Sequence, residues 1–133
     1  MILLDASVWL AAVDRDDAFH EAARELIGNG ELQHAALDLT VYEVGHVATT
    51  RWRDPDQARR LCRLVFAACA DRLLRVTREL ADAAVALADE HGITVYDAAY
   101  VAAARQEGCP LVSGDIADLV RRGLAIGPDA VDS

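Results

Sequence analysis

The sequence predicts an α/β fold with three layers, α/β/α, and a central parallel sheet of about five strands. Short apolar runs alternate along the chain with longer segments of helical periodicity. The runs lack the strict polar alternation of half-exposed strands, which is typical of strands buried on both faces of a parallel sheet. A length of 133 residues, 53% of them hydrophobic and 26% charged, favours one globular domain over residues 1–133.

Five short apolar runs are the candidate strands. The first of them is ended by Asp5. The runs cover residues 2–4, 34–37, 73–76 and 111–113, with 124–126 as a candidate fifth.

Capping residues and glycines predict where the intervening helices begin and end. Proline at the start of one segment agrees with this, because proline is tolerated in the first helical turn. The predicted helices run from Asp16 to Gly28, from Asp38 to about Arg51, from Asp54-Pro55 onward, from Thr77 to Gly92, from about Tyr96 to Gly108, and from Asp115 to Gly123.

The charge balance is strongly acidic, with a net charge of -9 from 22 acidic and 13 basic residues. This disfavours a protein that simply coats nucleic acid, which would be basic. It does not exclude a nuclease, because a metal site concentrates carboxylates that cations then neutralise. All 13 basic residues are arginines and the chain has no lysine.

Compartment and redox state can be predicted from the cysteines and the first residues. Cys62, Cys69 and Cys109 form no C-x-x-C pair, so we expect buried thiols in a reduced, cytoplasmic protein. The first residues show neither a basic leader nor a long apolar run, so we expect no membrane association.

Acidic residues follow the predicted strands at positions where a parallel sheet gathers its ligands. Asp5 directly follows the first strand and Asp115 follows the fourth. Asp97 opens an alanine-rich helix, and Glu43 lies about one turn into the helix after the second strand. Four carboxylates at one sheet edge would repel each other unless cations neutralise them. Oxygen-only ligands favour Mg²⁺ or Mn²⁺ over zinc.

Each acid also has a structural interpretation that the sequence leaves open. Asp5 and Asp115 are candidates to cap the helices that follow them. Asp97 is a candidate first-turn acid that complements the helix dipole. Glu43 is a candidate to pair with an arginine such as Arg51 or Arg53.

Four segments resemble, in order, the motifs of the PIN-domain family. MILLDASVWL at residues 1–10 is similar to the opening strand with Asp-x-Ser, and LTVYEV at 39–44 to the helix centred on Glu. VYDAAYVAAA at 95–104 is similar to the third motif, Asp-Ala at the head of an alanine-rich helix. LVSGD at 111–115 resembles the fourth motif, a strand that leads to Thr/Ser-x-Asp. The length and the Asp-Ala-Ser start most resemble VapC-type toxins of bacterial toxin–antitoxin pairs.

The resemblance implies a homodimeric endoribonuclease with a PIN-like fold, dependent on Mg²⁺ or Mn²⁺ and inhibited by a small VapB-like antitoxin. RNA cleavage would leave 5′-phosphate and 3′-hydroxyl ends. In this interpretation Asp5, Asp97 and Asp115 bind the principal ion, and Glu43 binds a second ion or orients water. The same four acids would be the catalytic residues, with Ser7 and Ser113 supporting them and Asp118 as a loosely matched accessory acid.

Eight of the thirteen arginines lie between residues 51 and 78, which suggests a surface for RNA phosphates. Arg51, Arg53 and Arg59 are the candidate RNA-binding residues. They are equally candidates for ion pairs or for the dimer interface. Trp52 would either stack on a base or be partly buried.

Other functions fit the sequence less well or stay open beside this one. Glu43-x-x-His46 matches half of a di-iron site, which needs two such pairs. Receiver domains and haloacid-dehalogenase phosphatases rely on a lysine, which this chain lacks. A non-catalytic PIN module that binds RNA or a protein, and a housekeeping RNA-processing nuclease, both remain open.

Overall fold

The computed structural model describes residues 1–131, and strands alternate with helices along them as predicted. The strands are β1 (Ile2–Leu4), β2 (His34–Leu37), β3 (Leu73–Leu74) and β4 (Leu111–Val112). The helices are α1 (Ala6–Ala11), α2 (His20–Gly28), α3 (Asp38–Thr50), α4 (Pro55–Cys69), α5 (Arg78–His91) and α6 (Val95–Glu107). Shorter turns are 3₁₀-helical at Ala70–Arg72 and Pro128–Ala130, and π-helical at Ile116–Val120.

The strands form one parallel sheet in the order β3-β2-β1-β4. Ile2 and Leu4 face a core cluster that contains side chains of α1 to α4, among them the fully buried Trp9. Leu3 faces the opposite cluster, which α5 and α6 complete. Because successive strand residues point to opposite faces, each face is covered by its own helices. The predicted three-layer α/β/α fold is confirmed.

Two of the five predicted strands, at 73–76 and 111–113, are shorter in the structure than expected. A third, at 124–126, is reduced to a single bridge. The run at 73–76 pairs only over Leu73–Leu74, because the next donor, the Val76 N–H, is directed to the Asp38 carboxylate at 3.3 Å. The run at 124–126 contributes one parallel bridge, between Val112 and Ile126. About five strands therefore becomes four strands and a bridge among the described residues.

Most predicted helix ends are confirmed by their capping contacts. Asp54 accepts the Gln57 N–H at 3.0 Å, and Thr77 accepts the Leu80 N–H at 3.1 Å. Gly92 and Gly108 end α5 and α6 with φ of 64° and 65°, a left-handed conformation that glycine adopts without a Cβ penalty.

The predicted start of the second helix at Asp16 is wrong, because α2 begins at His20. Asp14 and Asp17 instead accept the N–H groups two residues ahead, Asp16 N–H at 3.1 Å and Phe19 N–H at 2.9 Å. These local turns compete with helix formation and delay it by about one turn.

Two further predictions concern the state of the thiols and the membrane. The three thiols are free; Cys69 is buried as expected, whereas Cys62 and Cys109 are only partly buried. None of the helices described for residues 1–131 combines the length and apolar character needed to cross a membrane.

Candidate functional site

The four predicted acids all lie near one edge of the sheet. Asp5 follows β1 and Asp115 follows β4, the strand hydrogen-bonded beside it. Glu43 lies in α3, which continues directly from β2 on the other side of β1. Asp97 stands in the first turn of α6. Neighbouring parallel strands end at the same edge, so the topology gathers these residues there.

Three carboxylates at this edge come close enough to share a cation. Oxygen atoms of Asp97, Asp115 and Asp118 lie within 4.8 Å of one another. Asp118 joins the cluster because Asp115 accepts its backbone N–H at 3.0 Å, which fixes the turn between them. The cluster therefore includes the accessory acid whose motif match was loose. Asp5 and Glu43 lie beside it rather than within it.

The charges of these groups are coupled through Asp97. Burial raises the pKa of Asp97, and the neighbouring Asp115 and Asp118 carboxylates raise it further. Burial also raises the pKa of Asp5 and of Glu43, and in both cases the negative charge of Asp97 adds to the effect. Asp5 and Glu43 thus belong to the same electrostatic site as the cluster, and a bound cation would relieve the repulsion among all of them.

Asp5 is only 5% exposed, and hydrogen bonds reach its carboxylate from several sides. Its carboxylate accepts the Ser7 hydroxyl and, at 3.1 Å, the Ser7 N–H, so it caps α1. The Ser113 hydroxyl also hydrogen-bonds to it. These bonds favour the charged form, but burial outweighs them and raises the pKa of Asp5 to about 6.

The two predicted supporting serines connect the end of β1 to the end of β4. The Ser7 hydroxyl oxygen accepts the Gly114 N–H at 2.8 Å, and the buried Ser113 accepts the Asp115 N–H at 3.0 Å. A Cβ at Gly114 would lie 3.3 Å from the Ser7 Oγ, so this close approach is made by a residue without a side chain. Ser7 and Ser113 thus both accept backbone N–H groups at the start of the turn that carries Asp115.

Glu43 has a partner that the sequence did not indicate. Its Oε1 accepts the Tyr100 hydroxyl at 2.5 Å, and the Tyr100 oxygen lies 2.6 Å from the Thr40 Oγ1. No arginine in the described chain lies within ion-pair distance of Glu43, so the predicted alternative of pairing with Arg51 or Arg53 is wrong.

Three hydroxyl residues of this site were missed from the sequence, but their spacing carries a signal. Thr40 precedes Glu43 by three residues, and Tyr100 follows Asp97 by three, so each shares a helix face with an acid. Thr94 is the third residue: it caps α6 by accepting the Asp97 N–H at 3.1 Å. A search for hydroxyls three residues from each acid would have found them.

Capping a helical turn and binding a cation are compatible roles for Asp5 and Asp115. Asp5 caps α1 and Asp115 caps the turn at Ile116–Val120. Each carboxylate has two oxygens with several lone pairs, so accepting one backbone N–H leaves capacity for a cation.

The predicted RNA-binding arginines lie at the junction of α3 and α4. Arg51 and Arg53 are exposed there, and Arg59 forms an ion pair with Asp56 at 3.1 Å. Trp52 is partly buried and packs on the core, so of its two predicted roles burial is confirmed.

A groove of about 790 Å³ runs between α3 and α4. Tyr42 and Phe66 line it and are 84% and 53% exposed, which is unusual for aromatic side chains. Arg59 and Arg63 also line it.

Comparison with known proteins agrees with the fold. A family model described as PIN domain matches residues 2–121. No curated protein sequence matches the chain significantly.

Three solved structures are similar over most of their length. PAE2754 from Pyrobaculum aerophilum is 29% identical with a TM-score of 0.72, covering 96% of this chain and 83% of its own. A toxin–antitoxin complex from Klebsiella pneumoniae is 18% identical with a TM-score of 0.70, covering 96% and 98%. VapC20 from Mycobacterium tuberculosis, a toxin that cleaves the sarcin–ricin loop, is 21% identical with a TM-score of 0.67, covering 86% and 92%.

Proposed function

Because the chain belongs to the PIN-domain family, we propose that it is an endoribonuclease dependent on a divalent metal and the toxin of a type II toxin–antitoxin pair. The observation that carries the proposal is the convergence of Asp97, Asp115 and Asp118 within 4.8 Å, with Asp5 and Glu43 beside them. In the described chain no arginine or histidine lies within ion-pair distance of Asp97 or Asp115.

The donor set fits a hard divalent cation. All the candidate ligand atoms are carboxylate oxygens, which favour Mg²⁺ or Mn²⁺ over zinc. Burial, and then the neighbouring carboxylates, raise the pKa of Asp97. Among the described residues, Arg122 lies within ion-pair distance of the cluster, at 3.9 Å from Asp118. The proposed ligands are Asp5, Glu43, Asp97 and Asp115. Asp118 is a further candidate ligand because it lies in the same cluster as Asp97 and Asp115.

When bound, the cation would supply positive charge to the phosphodiester and lower the barrier to in-line attack by water. The residues of the chain would do the positioning. Asp97 and Asp115 would hold the ion, and Ser7 and Ser113 would fix Asp5 so that its charge faces the same centre. Glu43, as a further proposed ligand, would present its Oε2 to the ion and to the attacking water. The bond between phosphorus and the 3′ oxygen would break, leaving 5′-phosphate and 3′-hydroxyl ends.

An assay on purified protein with total RNA tests this function. We expect cleavage with Mg²⁺ or Mn²⁺, none in EDTA, and a loss of roughly a hundredfold or more in Asp97→Asn. Asp89→Asn, an exposed acid on α5, is the matched control and should keep full activity. Cleavage that persists in EDTA or in Asp97→Asn would contradict the metal site. A wild-type protein that binds Mn²⁺ and RNA without cleaving would favour the non-catalytic module.

The RNA substrate and the antitoxin partner are supported by the similar structures. One of them is a toxin that cleaves an RNA loop and another is a toxin–antitoxin complex, although both are distant in sequence. The exposed aromatic groove between α3 and α4 supports a protein partner, because exposed apolar patches of this kind mark interaction sites. Growth arrest on induction of the wild type, absent in Asp97→Asn, would separate a toxin from a housekeeping nuclease.

A further inference from the structure

Two buried hydroxyl groups form a chain that ends on Glu43. The Thr40 Oγ1 lies 2.6 Å from the Tyr100 hydroxyl oxygen, and that hydroxyl lies 2.5 Å from the Glu43 Oε1. Thr40 is fully buried and Tyr100 is 2% exposed, whereas Glu43 is partly exposed at the site. The chain thus runs from the core of the protein to the acidic edge of the sheet.

The direction of the hydrogen bonds follows from the number of protons available. The Tyr100 phenol has one proton, and the Glu43 carboxylate can only accept, so the phenol donates to Glu43. The Thr40 hydroxyl must then donate to the Tyr100 oxygen. Both bonds point toward the carboxylate, and such aligned bonds strengthen each other in a buried environment.

This arrangement constrains one oxygen of Glu43 and leaves the other free. Oε1 is bound within the protein by a neutral donor, and no bond to Oε2 is found among the described residues. An arginine partner would neutralise the charge of Glu43, whereas Tyr100 orients the carboxylate and leaves its charge available. The charge of Asp97 acts on Glu43 from the site side.

We propose that Tyr100, backed by Thr40, is a positioning residue that presents Glu43 to the metal site in a single orientation. The inference rests on the proposed function, because it assigns Glu43 a role there. Partners that orient a metal ligand in this way change metal affinity by roughly 10- to 100-fold when they are removed.

Isothermal titration of the RNA-free protein with Mn²⁺ tests the proposal. Tyr100→Phe keeps the ring and removes the donor, so Mn²⁺ should bind about tenfold more weakly. The kcat for RNA should fall by a similar factor while KM stays unchanged. Tyr96→Phe, at a tyrosine that is 68% exposed one residue before Asp97, should leave both quantities unchanged.

Thr40 gives a second, independent pair of variants. Thr40→Val removes the hydroxyl with little change of shape and should reproduce part of the loss, whereas Thr40→Ser keeps the hydroxyl and should retain wild-type Mn²⁺ affinity. In a Glu43→Ala background, Tyr100→Phe should cause no further loss of Mn²⁺ affinity, because the effect passes through Glu43.

The outcomes separate this inference from the proposed function. If Tyr100→Phe and Thr40→Val lower only the melting temperature and leave Mn²⁺ affinity and kcat intact, the two hydroxyls are structural and the inference is overturned. An additional loss in the Glu43→Ala background would overturn it too. If the wild type binds no Mn²⁺, the metal site itself fails and the inference fails with it.

Discussion

Asp5 shows how a single buried carboxyl can make the stability of the protein depend on pH. Its folded pKa of about 6 lies above the ordinary value of 3.8, chiefly because of burial and against the opposing bonds from Ser113 and Ser7. The folded protein therefore holds this proton more tightly than the unfolded chain does. The stability that follows is present below pH 4 and is lost as the pH rises to about 6.

We therefore predict that Asp5→Asn reduces the loss of stability between pH 4 and pH 7 in metal-free protein. The shift of the Asp5 pKa from 3.8 to about 6 corresponds to a free energy of about 3 kcal/mol. Asparagine keeps the size and the cap of α1 but does not titrate. Urea unfolding in EDTA at several pH values measures the change. Glu43 and Asp97 shift in the same direction, so some dependence should remain.

Asp54→Asn is the matched control for this prediction, because Asp54 also caps a helix but is exposed. Its pH profile should follow that of the wild type. A profile for Asp5→Asn that coincides with the wild type would show that Asp5 is not the buried titrating group.

Residue positions along the chain were enough to predict the acids but not their partners. Asp5 and Asp115 could be placed because they directly follow strands, and parallel strands share an edge. Tyr100 lies 57 residues from Glu43 and 60 from Thr40, and no local pattern specifies which side chains meet over such separations. The exclusion of arginine from Glu43 likewise depends on packing that the sequence does not display.

At the scale of elements, five of the 13 residues of α6 are alanines, and most of these are buried. Ala98 and the run from Ala102 to Ala104 are buried, and the helix packs closely on α5 and β4. This agrees with an alanine-rich composition that has only 5% aromatics. Small residues bring the axis of α6 close to the sheet, and Asp97 in its first turn is carried to the site with it.

A larger side chain within α6 should therefore be poorly tolerated. We predict that Ala103→Leu lowers the free energy of unfolding by about 1–3 kcal/mol, because the surrounding side chains must shift to admit it. Ala103 is 2% exposed. Ala86→Leu on the exposed side of α5 is the control and should change stability by less than about 0.5 kcal/mol. Equal effects of the two changes, measured by chemical denaturation, would contradict close packing of α6.

The ends of helices and strands were predicted best where a local capping residue sets them. They were predicted worst where a competing turn or the edge of the sheet determines where an element begins or ends. Thr77 and Asp54 cap their helices as expected. α2 starts late because aspartate side chains accept backbone N–H groups two residues ahead of them. β3 ends early because it is an edge strand, with a neighbouring strand on one side only.

At the scale of the whole molecule, an acidic protein must still attract RNA. The net charge is -9, but exposed arginines concentrate between residues 51 and 78. Each phosphate contact with single-stranded RNA contributes about 0.7 to the slope of log affinity against log salt. The junction of α3 and α4 could therefore bind RNA locally despite the overall charge.

We predict that Arg51→Ala plus Arg53→Ala reduces this salt slope by about 1.4, measured by RNA binding in Ca²⁺ at several salt concentrations. Arg24→Ala plus Arg105→Ala changes the net charge equally at exposed positions away from this junction and is the control. A slope that falls equally in both double variants would assign the effect to total charge and remove Arg51 and Arg53 from the RNA surface.

The family and the three-layer fold followed from four motifs in register, while assembly did not. The single domain over residues 1–133 and the homodimer stay predictions, and residues 132 and 133 lie outside the described part of the chain. Contacts between copies depend on surfaces whose partners the sequence of one chain does not specify.

The turn at Ile116–Val120 makes the site sensitive to chain length. Its bonds run from residue i+5 back to i, as from the Val120 N–H to the Asp115 carbonyl at 3.1 Å. Each residue of such a turn rotates the chain further, so removing one redirects every side chain that follows it. Deleting Ala117 would therefore swing Asp118 away from Asp97, although every acid would still be present. Substitutions within this turn can preserve the position of Asp118 beside Asp97. An insertion or deletion of a single residue would remove it.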